Sequence, residues 1–357
     1  MSAGSRKHLR PLIALLAFVL ALGAVEVGAR VAFRVRHHRL SPPNFPWMEI
    51  TARGPRLVRN THAEIFARIN GRSVWLDVNS LGFRGPELDP KKSRPRLLLL
   101  GDSVMFGPGL LERETIPGRL RELIPGAEII NAAVPGLGTK EEVDLLDETW
   151  NKVRPDVVAL GFYANDPHRS VILEEQYGNL PDWISGPITR LRRHSVAFNE
   201  LWSRALAAAL VRSGTLNAEW VELYNGQAWI RDRTTYDQIV RLAADDFGAA
   251  WHDDAWPGIE AELRRMSSLC VERGAKAAVV VFPVALQVGS EVGDTLPQER
   301  VAAIGRKLGI PALDPLPALR AHKTERLFYD QCHLTPLGAE VVAQELARFL
   351  RGERLVP

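Results

Sequence analysis

Short apolar segments that alternate with helical segments constrain the fold of this sequence more than any other feature. Arg96–Leu100 is a short apolar run that ends at Gly101, which is typical of a strand buried on both faces of a parallel sheet. Helices are predicted between this strand and later ones, so the pattern predicts an α/β fold with a doubly wound, mainly parallel sheet. The further predicted strands are Glu128–Asn131, Asp156–Phe162, Ala277–Phe282 and Ala312–Asp314.

Two helix starts in this pattern carry recognisable signals. Thr139 and Glu142 have the spacing of a capping box, which predicts a helix over Lys140–Val153. Thr335 followed by Pro336 is a favourable start for a carboxy-terminal helix. The apolar residues of this last helix recur on one face, as expected of a helix that packs against a sheet.

The first 40 residues differ from the rest of the chain in charge. They contain seven basic residues against the single acidic residue Glu26, a charge of +6, whereas residues 41–357 carry −3. The body of the protein is therefore not basic. This distribution argues against a nucleic-acid-binding protein, which needs a basic face on its folded part.

The basic residues flank an apolar stretch. Pro11–Val25 holds fifteen residues without a charge, and three uncharged residues separate Glu26 from Arg30. A helical membrane span needs about 17–25 residues and the core of a cleaved signal about 7–15. Pairing of Glu26 with Arg30 at the interface would lengthen the span. We expect an uncleaved transmembrane anchor at about 11–30, with a cleaved signal and a buried soluble helix as alternatives.

The orientation of this anchor does not follow from charge alone, because the two flanks are nearly balanced in basic residues. Long domains translocate largely regardless of charge. We therefore expect the large carboxy-terminal part to be exported, to the periplasmic or extracellular face of a membrane.

Residues 41–94 are predicted to connect the amino-terminal segment 1–40 to the sheet. Their first part is rich in proline and arginine and is typical of a tether. Ile65–Ile69 and Val74–Val78 then flank Asn70-Gly71, a pair that favours the positive φ angles of a type I′ turn. A β-hairpin extension is the predicted structure.

The α/β pattern covers about 95–350 and is interrupted once, at about 167–257. Amphipathic runs there predict a helical insertion over the end of the sheet. Six of the nine tryptophans lie in it and are expected to pack the insertion's own small core, with stacking on sugars or contact with lipid as the alternatives. They are Trp183, Trp202, Trp220, Trp229, Trp251 and Trp256.

Two polar motifs, far apart in the chain, have the composition of a nucleophile and its base. Gly101-Asp102-Ser103 follows the first predicted strand, where loops of a parallel sheet bind ligands. Asp330 precedes His333 by three residues, so a tight turn lets the carboxylate accept the Nδ1 proton. Nε2 of His333 would then remove the proton of Ser103 during attack on a carbonyl. The pattern predicts Ser103, Asp330 and His333 as catalytic residues.

The loops after the second and third predicted strands supply hydrogen-bond donors. Gly136 follows the second strand and Asn165 follows the third. A tetrahedral oxyanion needs two or three preorganised N–H groups. The main chain of Ser103 and of Gly136 and the side-chain amide of Asn165 are the predicted oxyanion hole. A turn for Gly136 and a helix cap for Asn165 are the structural alternatives.

Four motifs in this order resemble the sequence blocks of the SGNH hydrolases, also called GDSL-like lipases and esterases. They spread over roughly 95–166 and 275–350. The resemblance implies a flavodoxin-like three-layer α/β/α sandwich in which Ser103 is the nucleophile and Ser103, Gly136 and Asn165 form the oxyanion hole. It implies that Asp330 and His333 are the acid and base. The motifs are Gly101-Asp102-Ser103, Asn131 to Gly136, Tyr163-Ala164-Asn165-Asp166 and Asp330-Gln331-Cys332-His333.

The sequence departs from that family in one block and extends it elsewhere. Tyr163 stands where the family usually has glycine, which leaves the Asn165 amide in place and changes the shape expected of the pocket. The insertion is longer than a compact member needs. The apolar amino-terminal segment and Asn79–Gly85 resemble membrane-tethered bacterial members of the family.

Other candidate ligand groups are weaker. His252, Asp253 and Asp254 are adjacent in sequence, and adjacent residues seldom converge on one ion, so a solvated helix end is expected. Cys332 is expected to be a small buried residue rather than a redox switch. The sequence has no phosphate-binding glycine motif, and neither a cofactor nor a metal is implied.

Together with the resemblance, these motifs imply a membrane-anchored serine esterase that acts on an ester, such as an acetyl or acyl group on a cell-envelope glycan or lipid. An O-acyltransferase with the same triad is the first alternative. A catalytically silent module that binds the envelope through its tryptophans is the second. The expected partners are an ester-bearing small molecule, lipid or glycan and the membrane, without nucleic acid.

Overall fold

The computed structural model of the protein describes residues 3–37, 47–51, 53–67, 69–167, 182–212 and 219–357. The chain divides into two compact units. One unit comprises residues 1–46 and 176–209, and the other comprises residues 47–175 and 210–357. The second part of the predicted insertion thus belongs to the larger unit, and its middle part belongs with the amino-terminal segment.

Two antiparallel strand pairs begin the larger unit. They are β1 (Met48–Thr51) with β2 (Gly54–Leu57), and β3 (Thr61–Ala67) with β4 (Arg72–Val78). The second pair is the predicted hairpin, and its alternate side chains Val74, Leu76 and Val78 are buried on one face.

The turn of this hairpin differs from the predicted type I′ turn. Ala67 pairs with Arg72, so four residues rather than two connect the strands. Gly71 has φ of +68°, but Asn70 is not among the described residues with positive φ, which a type I′ turn requires at both positions. The Asn70 side chain instead accepts from the Arg72 N–H and donates to the Gly109 carbonyl, both at 3.0 Å. The prediction was wrong because this tertiary contact sets the loop.

A five-stranded parallel sheet forms the centre of the larger unit. Its strands are β5 (Arg96–Gly101), β6 (Glu128–Asn131), β7 (Val157–Phe162), β8 (Lys276–Val281) and β9 (Ala312–Leu313). Their spatial order is β6-β5-β7-β8-β9, which is 2-1-3-4-5 in chain order and is the order of flavodoxin-like doubly wound folds. β5 and β7 are buried along their whole length, as the apolar runs predicted.

Helices cover this sheet in two groups. α3 (Ile116–Leu123) packs with α13 (Pro336–Gly352), and α4 (Thr139–Val153) packs with α9 (Trp256–Glu272), which in turn contacts α11 (Leu296–Leu308). In chain order the described helices are α1 (Ala3–His37), α2 (Ser103–Phe106), α3 (Ile116–Leu123), α4 (Thr139–Val153), α5 (Asp182–His194), α6 (Val196–Arg212), α7 (Glu219–Gly226), α8 (Arg233–Leu242), α9 (Trp256–Glu272), α10 (Ala285–Gly289), α11 (Leu296–Leu308), α12 (Leu316–Ala321) and α13 (Pro336–Gly352). The predicted doubly wound α/β architecture is confirmed.

Of the two predicted helix starts, the structure confirms the cap of the carboxy-terminal helix α13 but not that of α4. α13 begins as expected, because the Thr335 hydroxyl accepts from the Gly338 N–H at 3.2 Å. α4 occupies the predicted residues, but its cap is Gly138 and no side chain caps it. The Thr139 hydroxyl lies 3.4 Å from a carboxylate oxygen of Asp166 instead, and Glu142 is fully buried. The predicted capping box was wrong because both side chains turn inward toward the sheet.

The tryptophans of the predicted insertion do not form a separate small core. Trp229 and Trp256 are buried within the same apolar core as the sheet, and Trp220 and Trp251 are partly buried against it. Trp183 is 77% exposed. The prediction was wrong for the four packed residues, because the segment from α7 to α9 folds directly onto the α/β core.

The smaller unit contains α1, α5 and the first part of α6. Within α1, Ile13–Ala32 is a run of 20 residues with a mean hydropathy of 2.0, long and apolar enough to cross a membrane. Its apolar side chains are exposed, with Leu16 at 60% and Leu20 at 64%. By length and composition, the run meets the requirements of an anchor and of a signal sequence alike.

Candidate active site

A strained turn presents Ser103 at the carboxyl end of the central strand. Gly101 ends β5 with φ of +154°, and a Cβ there would lie 2.7 Å from the Met105 side chain, so the position requires glycine. Asp102 then caps α2, its carboxylate accepting from the Val104 N–H at 2.8 Å. Ser103 is the first residue of this helix, and its hydroxyl points out of the turn toward the end of the sheet.

A second turn, just before α13, carries the acid and the base. One carboxylate oxygen of Asp330 accepts from the main-chain N–H of Cys332 at 2.9 Å and of His333 at 2.7 Å. Its other oxygen lies 2.7 Å from His333 Nδ1. The three-residue spacing thus closes a ring of local hydrogen bonds that fixes the imidazole, as the motif predicted.

The two turns meet although 230 residues separate them. His333 Nε2 lies 3.0 Å from Ser103 Oγ, within the separation of about 4 Å expected of a nucleophile and its base in an unliganded site. Both side chains are partly buried. The structure therefore brings together the three residues predicted to be catalytic, in a chain of hydrogen bonds from Asp330 through His333 to Ser103.

The charge on Asp330 is stabilised within this chain. Burial alone would raise the pKa of the carboxyl group. The hydrogen bond and charge of His333 and the two main-chain donors outweigh that effect and lower the pKa of Asp330 to about 2. A carboxylate that stays ionised can hold the imidazole in the tautomer with its proton on Nδ1.

The two remaining predicted donors lie on the neighbouring loops. Gly136 follows β6 and has φ of +81°, and Asn165 follows β7. β6 and β7 flank β5 in a parallel sheet, so both loops leave the sheet at the edge that carries Ser103. The Asn165 turn is held by the Asp166 carboxylate, which accepts from the Tyr163 N–H at 3.0 Å.

Tyr163, the residue that replaces the family's glycine, is buried beside the site. It is 1% exposed, and its hydroxyl has no hydrogen-bond partner among the described residues. Burial, together with the nearby Cys332 and Asp246, raises the pKa of Tyr163 well above its usual value. The side chain therefore fills space behind the catalytic turn as a neutral phenol.

Cys332 is buried between the acid and the base. Its Sγ lies 3.2 Å from His333 Nδ1, and burial raises the pKa of the thiol well above its usual value. Ligand atoms of Asp330, Cys332 and His333 lie within 4.8 Å of one another, the spacing of a metal site. A protonated thiol is a poor ligand, and Nδ1 of His333 already bonds to Asp330, so we assign these atoms to the hydrogen-bonded chain.

The weak metal candidate of the sequence lies at the protein surface. His252, Asp253 and Asp254 are exposed, and Asp253 pairs with Arg300. This is the arrangement of a solvated helix end, as expected for adjacent residues.

Sequence reasoning missed Arg84, which holds the loop that follows the nucleophile helix α2. The guanidinium is 2% exposed and donates to the carbonyls of Phe106, Gly107 and Leu110 at 2.6–2.9 Å, and to Glu112 at 3.0 Å. Phe106 ends α2, the other two carbonyls follow it, and the Gly107 carbonyl also accepts from the Leu110 N–H at 3.2 Å. The arginine therefore supplies donors to carbonyls of a segment that continues neither as helix nor as strand. Its location in the Asn79–Gly85 segment was the sole sequence signal.

Sequence reasoning also missed the contribution of the tryptophan-rich segment to the site. Asp246, which precedes a short 3-10 helix at Phe247–Trp251, lies 3.5 Å from the Gln331 side chain. Burial raises the pKa of Asp246 to about 6. Tyr224 of α7 stacks on Trp229, and burial with the neighbouring Asp330 and Cys332 raises the pKa of Tyr224 to about 12. An acidic and an aromatic side chain therefore stand beside the catalytic turn.

A group of buried carboxyl groups lies behind the nucleophile. Asp102, Glu142 and Asp166 are each less than 5% exposed. Burial raises the pKa of Asp102 to about 6, and burial with the neighbouring carboxyl groups raises the pKa values of Glu142 and Asp166 well above their usual range. Both oxygens of Glu142 are without hydrogen-bond partners in the part of the chain that the structure describes. Burial and the neighbouring carboxyl groups therefore favour the protonated forms of Glu142 and Asp166.

The fold and the site together define a doubly wound α/β protein with a Ser–His–Asp relay at the carboxyl ends of its parallel strands. No family model matches the sequence, and no curated protein sequence matches it. The chain is, however, similar to solved structures of lipolytic proteins of the GDSL family and of esterases.

Three of these structures illustrate the likeness. A member of the lipolytic protein G-D-S-L family from Veillonella parvula is 10% identical, with a TM-score of 0.37 over 72% of this chain and 98% of that chain. A catalytic mutant of Axe2, an acetylxylan esterase from Geobacillus stearothermophilus, is 13% identical, with a TM-score of 0.39 over 72% and 94%. The psychrotrophic esterase EstA from Pseudoalteromonas sp. is 12% identical, with a TM-score of 0.40 over 72% and 98%. At these values we derive the chemistry from this chain's own residues.

Proposed function

We propose that this protein is a serine hydrolase of ester bonds, of the SGNH type that its motifs resemble. The observation that carries the proposal is the hydrogen-bonded chain from Asp330 through His333 to Ser103, with distances of 2.7 and 3.0 Å. A serine hydroxyl is a poor nucleophile at neutral pH without such a base.

The proposed reaction begins when Ser103 Oγ attacks the ester carbonyl and transfers its proton to His333 Nε2. The tetrahedral oxyanion accepts hydrogen bonds from the main-chain N–H groups of Ser103 and Gly136 and from the Asn165 side chain. His333 then protonates the leaving alcohol oxygen, the carbon–oxygen bond of the ester breaks, and an acyl-Ser103 ester remains. Asp330 stabilises the imidazolium throughout.

Hydrolysis of the acyl-enzyme repeats these steps with water. His333 Nε2 accepts a proton from water as the oxygen attacks the acyl carbonyl, and the same donors hold the second oxyanion. The proton returns to Ser103 Oγ as the carboxylic acid leaves. The enzyme is restored, and the net reaction consumes one water for each ester.

A fluorophosphonate probe tests the nucleophile directly. Wild-type protein is expected to be labelled at Ser103, and Ser103→Ala is expected to abolish both labelling and hydrolysis of p-nitrophenyl acetate. Ser93→Ala is the matched control, because Ser93 is an exposed serine hydrogen-bonded to Asp89. Absence of labelling in a folded wild-type protein would refute the proposal and favour the alternative of a catalytically silent module that binds the envelope.

The substrate class we propose is an acetyl or short acyl ester on a cell-envelope glycan or lipid. The partly exposed Tyr224 beside the catalytic turn supports a sugar or lipid group, since an aromatic side chain offers an apolar face together with a polar hydroxyl. Acetyl, butyryl and longer chromogenic esters, followed by acetylated polysaccharides, rank the acyl length and the acceptor. If an acyl-sugar accumulates in place of free acid when a glycan is added, the activity is that of an O-acyltransferase and not of a hydrolase.

We further propose that α1 anchors the protein and that the larger unit is exported. At 1.5 Å per residue, the 20 residues of Ile13–Ala32 are about 30 Å long, which matches the hydrocarbon core of a bilayer. Retention in membranes after carbonate extraction, with the intact amino terminus found by mass spectrometry, is the expected result. A soluble protein that lacks α1 would instead identify a cleaved signal, and protease treatment of intact cells reports the side of the membrane.

A further inference from the structure

A charged pair on the apolar helix α1 holds the corner between α5 and α6. The carboxylate of Glu26 accepts from the Ser195 hydroxyl at 2.7 Å and from the N–H groups of Val196 and Ala197 at 2.9 and 3.1 Å. The two N–H groups belong to the first turn of α6, and the Ser195 hydroxyl also accepts from the Phe198 N–H at 3.0 Å, so Glu26 and Ser195 together cap this helix. Arg30 donates to Glu26 at 2.8 Å and to the carbonyl of His194, the last residue of α5, at 2.9 Å.

The position of Glu26 sets the depth of this corner. Glu26 lies six residues before Ala32, the end of the apolar run, which is about 9 Å along the helix axis. Helices that lie in the plane of a membrane interface bury their apolar face about 5–10 Å below the boundary. When α1 spans the membrane, the start of α6 therefore lies at the depth of an interfacial helix.

The exposed face of α6 is apolar. Leu201 is 68% exposed, and Ala205, Ala208 and Ala209 are exposed one and two turns further on, at the i, i+4, i+7 and i+8 spacing of a single face. Arg204 also lies on this face. The sequence from 205 to 211, Ala-Leu-Ala-Ala-Ala-Leu-Val, contains no polar side chain. Such a face is unfavourable in water and matches a hydrocarbon boundary.

α5 adds further exposed apolar and basic groups to the helix pair. Trp183 is 77% exposed and Leu191 is 52% exposed, and tryptophan favours the interface between lipid and water. Residues 182–212 contain five arginines against two acidic residues, and Arg190 and Arg204 are exposed while Arg192 is buried. Exposed basic groups near an anionic membrane surface favour binding.

We infer that α5 and α6 lie in the membrane interface as a second, monotopic contact beside α1, with anionic lipid as the partner of their exposed face. The inference rests on the proposed anchor and extends it: the Glu26–Arg30 pair, costly within a span, is retained because it docks the helix pair at that depth. The protein would thus be attached to the membrane by two parts, the span of α1 and the interfacial helices α5 and α6.

Site-directed labelling tests this on the full chain in nanodiscs of phosphatidylcholine and phosphatidylglycerol. A nitroxide is placed at Ala208→Cys, at Leu16→Cys as the lipid reference, or at Val271→Cys as the water reference, since Val271 is 74% exposed on α9. The native Cys270 and Cys332 are buried, so they react poorly. The readout is the ratio of collision with oxygen, which enters lipid, to collision with a water-soluble nickel chelate.

The expected ratio at Ala208 is several-fold above that at Val271 and near that at Leu16. A ratio at Ala208 equal to that at Val271, with Leu16 in lipid, would overturn the inference and leave the anchor intact. A water-like ratio at Leu16 would instead overturn the anchor. Exclusion of both reagents at Ala208 would show that protein, such as a second copy of the chain, covers the face, and would also overturn the inference.

Removal of the cap gives an independent test. Glu26→Ala takes away the acceptor for the Ser195 hydroxyl and for two N–H groups of α6, so the label at Ala208 is expected to become more mobile and more accessible to the nickel chelate, whereas the label at Leu16 keeps its ratio. An unchanged label at Ala208 would contradict the docking role of Glu26.

Discussion

Strand β5 and helix α1 are built from nearly the same side chains and have opposite surroundings. Leu97–Leu100 of β5 are all 0% exposed. Leu15, Leu16 and Leu20 of α1 are 59–64% exposed. A strand inside a parallel sheet is covered on both faces by helices, whereas a helix that is apolar all round needs an apolar solvent. Apolar composition thus shows that a segment must avoid water. Whether other elements of the protein cover the segment decides between a place in the core and a place in a membrane.

The largest expected effect concerns chemistry, which we place entirely in the larger unit that contains β5. Asp330→Asn keeps one oxygen for the two main-chain donors but turns an amide N–H toward His333 Nδ1. The imidazole then holds the wrong tautomer, and kcat is expected to fall by about 10⁴-fold. Leu16→Lys on α1 is the matched control in detergent and is expected to leave kcat/KM unchanged. A parallel loss in both variants would show that the two regions are not separable.

The same substitution in both regions compares their packing. Leu99→Ala leaves a cavity in the sheet and is expected to lower the free energy of unfolding of the larger unit by about 2–5 kcal/mol. Leu16→Ala removes an equal volume from an exposed position and is expected to change it by less than about 0.5 kcal/mol. Urea denaturation in detergent, followed by near-ultraviolet circular dichroism, measures both. Equal losses would mean that α1 is part of the packed core.

Polar groups sharpen the comparison further. Arg84→Met retains much of the volume but leaves the carbonyls of Phe106 and Leu110 without the guanidinium donor, while the Gly107 carbonyl keeps the Leu110 N–H. We expect a loss of about 3 kcal/mol in unfolding free energy with a lower kcat. Arg30→Met breaks bonds in the smaller unit and is expected to leave the unfolding of the larger unit unchanged. If activity survives Arg84→Met unaltered, the arginine does not position the loop after Ser103.

The smallest effect is a change in pH dependence. Burial raises the pKa of Glu142 in the folded state above its usual 4.5, so the folded state binds this proton more tightly than the unfolded state. Stability from this group is present below the unfolded pKa and is lost as the pH rises toward the folded pKa. Glu142→Gln is expected to match wild type within about 1 kcal/mol at pH 5 and to exceed it at pH 9. Chemical denaturation at both pH values measures the difference, and a less stable variant at pH 9 would contradict a neutral Glu142.

The strands could be predicted closely because each is a short apolar run bounded by turn residues. Glu128–Asn131 matches β6, and the other predicted strands of the parallel sheet differ from the observed ones by one residue at one end or, for β8, at both ends. The predicted hairpin strands begin four residues after the start of β3 and two after the start of β4. The Thr335 cap was predictable for a related reason, since at the start of a helix the hydroxyl of the cap residue lies close to the N–H three residues on. Thr139 and Glu142 have the same local pattern, yet they turn inward, because long-range contacts at the sheet outweighed the local cap.

Candidate site residues were predictable where their partners are local or their loops share a sheet edge. The roles of Arg84 and Glu142 were not predictable, because the sequence alone does not distinguish a buried arginine or glutamate from one at the surface. Their roles depend on carbonyls and carboxyl groups that come from other parts of the chain.

The sequence by itself determined the alternation of strands and helices, the apolar run of α1 and the ring of bonds that joins Asp330 to His333, because each depends on residues a few positions apart. Tertiary structure alone decided that Ser103 Oγ lies 3.0 Å from His333 Nε2 across 230 residues, and that Glu26 caps a helix 170 residues away. Such contacts are set by how whole elements pack, since strand order and helix docking, unlike turns and caps, follow from the total free energy of the fold.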